Sequence, residues 1–183
     1  MCISSALRRV IQISLISLLL SGCAVPNRNY VPTPKHAISI DFGMDKSTEW
    51  IPDFMNGNST SIIMEWVPKG QNVNAWNELV TNKIWFYNTS FSLENHLAGW
   101  ERDIRNSDPK VDIREEKLDD GSILVTYVSS AFNEYSMWHF IRGNDGVYAF
   151  GYGIRLSNRR DDRINLWKEI LIKACLVSNP VYK

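Results

Sequence analysis

Cysteine is scarce in this chain of 183 residues, which contains only Cys2, Cys23 and Cys175. Small domains that depend on disulfides need several paired cysteines, because their hydrophobic cores are too small to hold the fold. Aromatic residues are abundant instead, since Trp, Tyr and Phe each occur seven times. Each large ring can bury roughly 150–250 Å². The composition therefore predicts a globular domain with a hydrophobic core rather than a disulfide scaffold.

An excess of charge is also missing, because Lys and Arg number 20 and Asp and Glu number 20. Removing a leader that contains Arg8 and Arg9 takes two from the basic total and leaves 18 against 20 acidic side chains. Proteins that bind nucleic acid neutralise its phosphates with a basic face. The charge balance therefore predicts no nucleic-acid partner.

Motifs for catalysis and cofactor binding are absent, since the sequence has no HExxH, GxSxG, P-loop or GxGxxG pattern. His36 lies in a predicted tether, His96 on a predicted exposed helix face and His139 in the middle of a predicted strand. None of these histidines has a neighbour at metal-ligand spacing. The sequence thus predicts a non-enzymatic protein with no catalytic residue, no cofactor and no metal site.

Two charged runs favour solvated surface over a binding site. Glu115, Glu116, Asp119 and Asp120 flank a predicted hairpin but lack the spacing of a calcium-binding loop. The run 159–163 mixes basic and acidic residues, which is typical of the start of a helix.

A hydrophobic run long enough to cross a membrane is missing too. Val10–Leu20 is apolar but spans 11 residues, whereas a membrane-spanning helix needs about 20. Arg8 and Arg9 precede this run, and the combination is typical of an export signal peptide.

The four residues Leu20-Ser21-Gly22-Cys23 that follow resemble the lipobox of bacterial lipoproteins. The resemblance implies cleavage between Gly22 and Cys23 and covalent acylation of Cys23, with the lipid anchoring the protein in a membrane. Ala24 stands where an Asp would imply retention at the inner membrane. We therefore expect the protein on the periplasmic face of the outer membrane, with Cys175 as a lone cysteine in the core.

The domain boundaries follow from this leader. Residues 1–22 are predicted as the signal peptide, and 23–36, with three prolines, as an extended tether. Residues 37–178 are predicted as one globular domain, and 179–183 as a tail.

Within the domain, hydrophobic periodicity predicts strands over 37–42, 48–54, 60–67, 111–118, 122–129, 135–142 and 147–155. Helices are predicted from about Val73, with Lys83–Tyr87 as an alternative strand, from Leu93 with Ser92 as its cap, and over 161–176. In the last helix, Ile164, Trp167 and Leu171 are expected to be buried and Arg163 exposed. Gly151 and Gly153 share one face of their strand, where they are expected to leave room for a helix.

The pattern of core residues resembles the PsbP-like bacterial proteins. The resemblance lies in Glu65–Gln71, Trp76–Thr81 and Gly146–Tyr148 through Tyr152, followed by a closing helix that carries an aromatic residue. It implies an α+β fold in which an antiparallel sheet is covered by helices on both faces, an α/β/α sandwich. It also implies a binding, assembly or accessory role rather than catalysis.

Two functions therefore compete. The first is a membrane-anchored accessory subunit of a secretion or assembly complex in the cell envelope, bound to a protein partner. The second is a binding module for a small apolar or envelope ligand. A deep apolar pocket would favour the second and a flat exposed patch the first.

Overall fold

A computed structural model gives the structure of residues 31–87 and 91–179. The described residues form nine strands, two α-helices and two short 3-10 helices. The strands are β1 (His36–Ser39), β2 (Trp50–Gly57), β3 (Ser61–Pro68), β4 (Glu78–Phe86), β5 (Asp112–Lys117), β6 (Ile123–Ser129), β7 (Glu134–Arg142), β8 (Gly146–Arg155) and β9 (Cys175–Ser178). The α-helices are α1 (Leu93–Ser107) and α2 (Asp161–Lys173), and the 3-10 helices are Phe42–Met44 and Leu156–Asn158. The predicted signal peptide and lipobox lie outside the described residues.

Seven strands form one antiparallel sheet in the order β2-β3-β4-β8-β7-β6-β5, and β1 pairs with β9 in a separate two-stranded sheet. The predicted hairpins β5–β6 and β7–β8 are confirmed. Gly121 has a φ of 81° in the turn between β5 and β6, a conformation that favours glycine. The edges of the large sheet are β2 and β5.

Alternation along the strands gives the sheet two apolar faces. One face carries Tyr148, Phe150 and Tyr152 of β8, which pack with Trp167 and Leu171 of α2; we call it the α2 face. The opposite face carries Ile123, Val125, Phe140 and Ala149, which pack with Leu93 and Leu97; we call it the α1 face. Both faces need cover because a strand in the middle of this sheet is apolar on each side.

The helix α1 has the cap and the stripe that the sequence predicts. The hydroxyl of Ser92 accepts a hydrogen bond from the backbone N–H of Asn95 at 3.0 Å, which satisfies one free donor of the first turn. Leu93 and Leu97 are buried, and Trp100 packs against their cluster. The helix therefore docks through its predicted face.

The predicted α/β/α sandwich, in which helices cover both faces of the sheet, is wrong. The fold is rich in β-structure, because the described residues contain a sheet of seven strands but only two α-helices. On the α2 face, the β1–β9 pair and the first 3-10 helix share the cover with α2. On the α1 face, the helix lies against β6 and β7, and further along the sheet Glu65 and Lys83 are only half-buried.

The fold class is mispredicted mainly because of the helix expected from Val73. This helix does not form, and β4 occupies most of the segment. The spacing of Trp76 and Val80 suits a helix, but Val80 and Ile84 also alternate with Thr81 and Trp85 as in a strand. Pairing with β3 on one side and β8 on the other satisfies the β4 backbone, and this long-range pairing decides the outcome. The alternative strand at Lys83–Tyr87 is confirmed as far as Phe86.

The closing helix is confirmed at its start, but it ends at Lys173 instead of reaching Leu176. Beyond Ala174 the chain turns into β9, where Cys175 pairs with Ser39 and Val177 with Ala37. None of the helices within residues 31–87 and 91–179 combines the length and apolar character needed to cross a membrane.

The expectation that Gly151 and Gly153 leave room for a helix is also wrong. A Cβ atom at Gly151 would lie 2.6 Å from the indole of Trp138, and one at Gly153 would lie 3.5 Å from the indole of Trp76. Side chains from neighbouring strands and loops therefore cover these glycines in place of a helix.

Candidate functional site

Gly22 and Cys23, the residues of the predicted cleavage and lipidation site, lie outside the described residues. Cys175 is half-buried in β9 and is disulfide-bonded, so the expected lone cysteine is wrong. The other two cysteines, Cys2 and Cys23, also lie outside the described residues.

His139 is fully buried on the α2 face, and its Nε2 lies 2.6 Å from the hydroxyl oxygen of Ser122. The Ser122 hydroxyl donates to Asp120 at 2.5 Å. In a catalytic serine triad the carboxylate is hydrogen-bonded to the histidine and orients it. Here the carboxylate of Asp120 instead accepts a hydrogen bond from the serine. Ser122 is 2% exposed and burial lowers the pKa of His139, so this arrangement orders the β5–β6 turn rather than presenting a nucleophile.

The prediction that His96 lies on an exposed helix face is wrong, because His96 is on the side of α1 that packs against the sheet. Its ring centroid is 4.6 Å from that of Trp85, and its Nδ1 is hydrogen-bonded to the hydroxyl of Tyr87. Burial, with the positive charge of Lys83 nearby, lowers the pKa of His96 to about 4. The ring is therefore neutral at neutral pH and acts as a packing residue.

A half-buried charged pair lies in the uncovered part of the α1 face. Glu65 of β3 is opposite Thr81 of β4, and Lys83 follows two residues later on the same side. Burial raises the pKa of Glu65 and lowers that of Lys83. Neither side chain forms a salt bridge with any described residue. Glu65 is hydrogen-bonded to Thr81 and lies near Lys83, whose Nζ is 4.7 Å from the Trp85 ring centroid. The two partly desolvated charges therefore have weak contacts in the protein, and a partner could add a salt bridge to each.

These charges belong to a strip that crosses three strands. Phe54 of β2 pairs with Glu65 and is 39% exposed. Ile63 pairs with Lys83 and is half-buried. We call the surface formed by Phe54, Ile63, Glu65 and Lys83 the open strip.

A buried polar network is centred on Arg163, which the sequence wrongly predicts as exposed. Its guanidinium donates to both carboxylate oxygens of Asp45, at 2.8 and 2.9 Å. It also donates through Nε to Glu78 at 2.9 Å. Burial by itself would raise the pKa of Asp45, but hydrogen bonds from Arg163, Trp50 and Ser47 lower it to about 2.

This network joins elements that are distant in sequence. Asp45 follows the first 3-10 helix, Glu78 begins β4 and Arg163 lies in the first turn of α2. Tyr152 of β8 donates to the same Glu78 oxygen at 2.8 Å. Because its partners satisfy Arg163, the network holds the start of α2 against the sheet.

A polar cavity of about 420 Å³, broadly open to solvent and lined mostly by exposed residues, lies beside the network. Its lining includes the side-chain amides of Gln71, Asn77 and Asn158 and the hydroxyl of Ser157. The charged residues in the lining are Glu78, Arg159 and Arg160. The cavity is at the end of the sheet where β4 begins and β8 ends.

The predicted acidic turn stays at the surface. Glu116 forms a salt bridge with Lys168 of α2 at 2.8 Å, and burial, with Glu101 of α1 nearby, raises the pKa of Glu115. Within the described part of the chain, no three His, Cys, Asp or Glu side chains come together as a metal-ligand set.

Sequence reasoning missed Arg163, Asp45, Glu65 and Lys83. One signal was present: Arg163 lies four residues before Trp167 and eight before Leu171, on the same stripe of α2. A charged residue on a buried stripe predicts a buried partner. No comparable local signal marks Glu65 and Lys83, which meet only through strand register.

Comparison with known proteins identifies no relative, so the function is argued from the geometry of the structure. No protein-family model, no curated protein and no solved structure matches this chain.

Proposed function

We propose that the protein is a lipid-anchored, non-catalytic interaction protein of the cell envelope, an accessory subunit that binds a protein partner at the periplasmic face of the outer membrane. The lipobox-like residues ending in Cys23 support the anchor, which requires that the Cys23 thiol carry the lipid and not the disulfide of Cys175. The observation that carries the proposed interaction is the open strip, where Glu65 and Lys83 are half-buried without a salt-bridge partner among the described residues.

Such a strip suits a protein partner for two reasons. Interface residues that contribute most to affinity are desolvated by the complex and surrounded by apolar contacts. Glu65 and Lys83 are already partly desolvated in the free protein, and Phe54 and Ile63 supply apolar surface beside them. A partner that brings opposite charges would form ion pairs with Glu65 and Lys83, and part of the desolvation cost of those pairs is already met in the free protein.

The second hypothesis, a module for a small apolar ligand, is less well supported. A site of that kind is concave and mostly apolar, whereas the lining of the described cavity is polar. The buried Ser122–His139 pair supports a non-catalytic role, because substrate has no access to a side chain that is 0% exposed.

Site-specific photocrosslinking tests the interaction. A photoreactive amino acid at Phe54 is expected to give one discrete crosslinked product in intact cells. The matched control is Ile172, which is 41% exposed on α2 and lies away from the open strip. Adding Lys83→Gln, which removes the charge without placing a second carboxylate beside Glu65, should weaken or abolish the Phe54 product, and the melting temperature checks that the fold is kept. Equal crosslinking from both positions, or full persistence of the product with Lys83→Gln, would contradict the proposal.

Metabolic labelling with a fatty-acid analogue tests the anchor separately. Cys23→Ser is expected to carry no label, because the other cysteines do not follow a lipobox. Equal labelling of the variant and the parent chain would overturn the lipoprotein assignment while leaving the open strip as it is.

A further inference from the structure

The polar cavity beside the Arg163 network has features that the proposed interaction does not use. Its volume of about 420 Å³ lies in the range of small-molecule sites, about 300–1,000 Å³. It lies at the end of the sheet opposite Val31, whose methyl group lies beside Gly57, the residue that pairs with Ile62. Across the sheet, Ile62 is in register with Tyr148 of β8, and Glu78 at the cavity is in register with Ile154. Val31 and the cavity are therefore about 20 Å apart along the direction of β8.

One carboxylate oxygen at the cavity is an unused acceptor. Every hydrogen bond that Glu78 accepts from a described side chain ends on its Oε2, from Tyr152 and from Arg163. Its Oε1 accepts none from these residues. Arg163 is shared between Glu78 and Asp45, so Oε1 remains an open acceptor that suits a hydroxyl donor.

One guanidinium at the cavity is an unused donor. Arg160 pairs with Asp162 at 3.6 Å, but Arg159 forms no salt bridge with any described residue. The Arg159 side chain stacks over the ring of Tyr135, with its guanidinium carbon 4.6 Å from the ring centroid. This contact orients the guanidinium before any ligand arrives.

The remaining groups select for a hydroxylated molecule. Gln71 uses its amide oxygen to accept from the Asn77 backbone at 2.6 Å, which leaves its amide N–H donors available. Asn77 and Asn158 add further amides, and the lining has no aliphatic or aromatic member. A mostly apolar ligand therefore does not fit, whereas a ligand with many hydroxyl groups has a partner for each of them.

We infer that the cavity binds an acidic sugar, a polyhydroxylated molecule whose carboxylate or phosphate contacts Arg159 while its hydroxyl groups contact Glu78 Oε1 and the surrounding amides. The ligand is a free acidic sugar or an acidic residue of a glycan chain. Asp161 and Asp162 begin α2 nearby, so the anionic group lies against Arg159 rather than at the end of the helix.

Saturation-transfer NMR on the full chain, in a detergent without a sugar headgroup, tests the inference. Glucuronate is expected to bind, and glucose to bind at least about tenfold more weakly because it offers nothing to the guanidinium. Tighter binding of a galacturonate trimer than of glucuronate identifies a glycan chain as the source. Equal binding of the two identifies the free sugar.

Two variants locate the site. Arg159→Gln is expected to weaken glucuronate binding about tenfold or more. Asn158→Asp adds a negative charge with little change in shape and should do the same. Arg102→Gln, on the exposed side of α1, is the control and should bind like the parent chain. Melting temperatures separate loss of binding from loss of fold.

The inference is overturned if glucuronate fails to bind or binds equally to Arg159→Gln. It is also overturned if inorganic phosphate or L-glutamate binds as tightly as glucuronate, because the site would then recognise charge without hydroxyl groups. Photocrosslinking at Phe54 is independent of each of these outcomes.

Discussion

The two faces of the seven-stranded sheet are closed in different ways. On the α2 face, large side chains stack without interruption, as Tyr152 does on Trp167 with ring centroids 4.7 Å apart. The charges there are paired inside the protein, Arg163 with Asp45. On the α1 face, Glu65 and Lys83 are left half-buried without salt bridges among the described residues. A closed face must pair its charges internally, whereas an open one leaves them to water or to a partner.

The largest expected effect is on the closed face. Trp167→Ala should lower the free energy of unfolding by roughly 3–5 kcal/mol, because the side chain is fully buried and leaves a large cavity. Trp100→Ala on α1 removes a partly exposed indole and should cost less, about 2 kcal/mol. Urea denaturation followed by fluorescence measures both. An equal loss for the two variants would remove the contrast between the faces.

Breaking the buried charge network should have the next largest effect. Arg163→Met keeps much of the side-chain volume but leaves the Asp45 carboxylate buried without its cation, which costs about 3 kcal/mol. Adding Asp45→Asn should restore part of the loss, since the charge itself is removed. If the single and double variants unfold at the same urea concentration, the ion pair does not carry the stability attributed to it.

Acid should weaken the same network. The pKa of Asp45 is lowered to about 2 from an ordinary value of 3.8, so the folded state binds this proton less readily than the unfolded state. Stability from this group is present above pH 3.8 and is lost as the pH falls towards 2, by about 2 kcal/mol. Unfolding measured between pH 5 and pH 2 should show a shallower decline for Asp45→Asn. Identical pH profiles would contradict the assignment.

The smallest effect distinguishes two glycines on the α1 face. In Gly151→Ala the new methyl group would lie 2.6 Å from the Trp138 indole, so the indole must move at a cost of about 1–2 kcal/mol. In Gly153→Ala the nearest atom, in Trp76, is at 3.5 Å, an ordinary contact, and the change should be within about 0.5 kcal/mol. Thermal melts of both variants measure the difference. A reversed order would mean that the indoles do not cover the sheet as described.

The elements that the sequence predicts well are those whose signals are local. The cap Ser92 and the stripe of Leu93 and Leu97 lie within six residues, so propensity and packing agree over one short segment. The hairpin at Gly121 is equally local, because its turn geometry needs a residue that tolerates positive φ.

The elements that it predicts poorly depend on distant partners. Between Trp76 and Ile84 the apolar spacing suits both a helix and a strand, and only β3 and β8 decide between them. The error then spread to the fold class, because one helix too many suggested a second helical layer. The sequence also predicts that Gly151 and Gly153 leave room for a close helix, whereas the indoles of Trp138 and Trp76 cover them.

For the candidate sites, local signals were weaker still. Arg163 could have been recognised from its place on the buried stripe of α2, but its partner Asp45 lies 118 residues away in sequence. Glu65 and Lys83 come together through the register of β3 with β4. The cavity needs the chain at Gln71 and the chain at Arg159 to meet at one end of the sheet.

The sequence by itself therefore determined the short-range features: the capped helix α1, the hairpins, the apolar stripe around Trp167, and a lipobox-like motif that predicts an anchor at Cys23. The tertiary structure decided the strand identity of β4, the burial of Arg163, the cover of each face and the position of the open strip. The physical reason is the range of the interactions. Turn geometry, capping and helical periodicity act over a few residues, whereas strand pairing, charge burial and the shape of a cavity depend on segments that only the complete fold brings together.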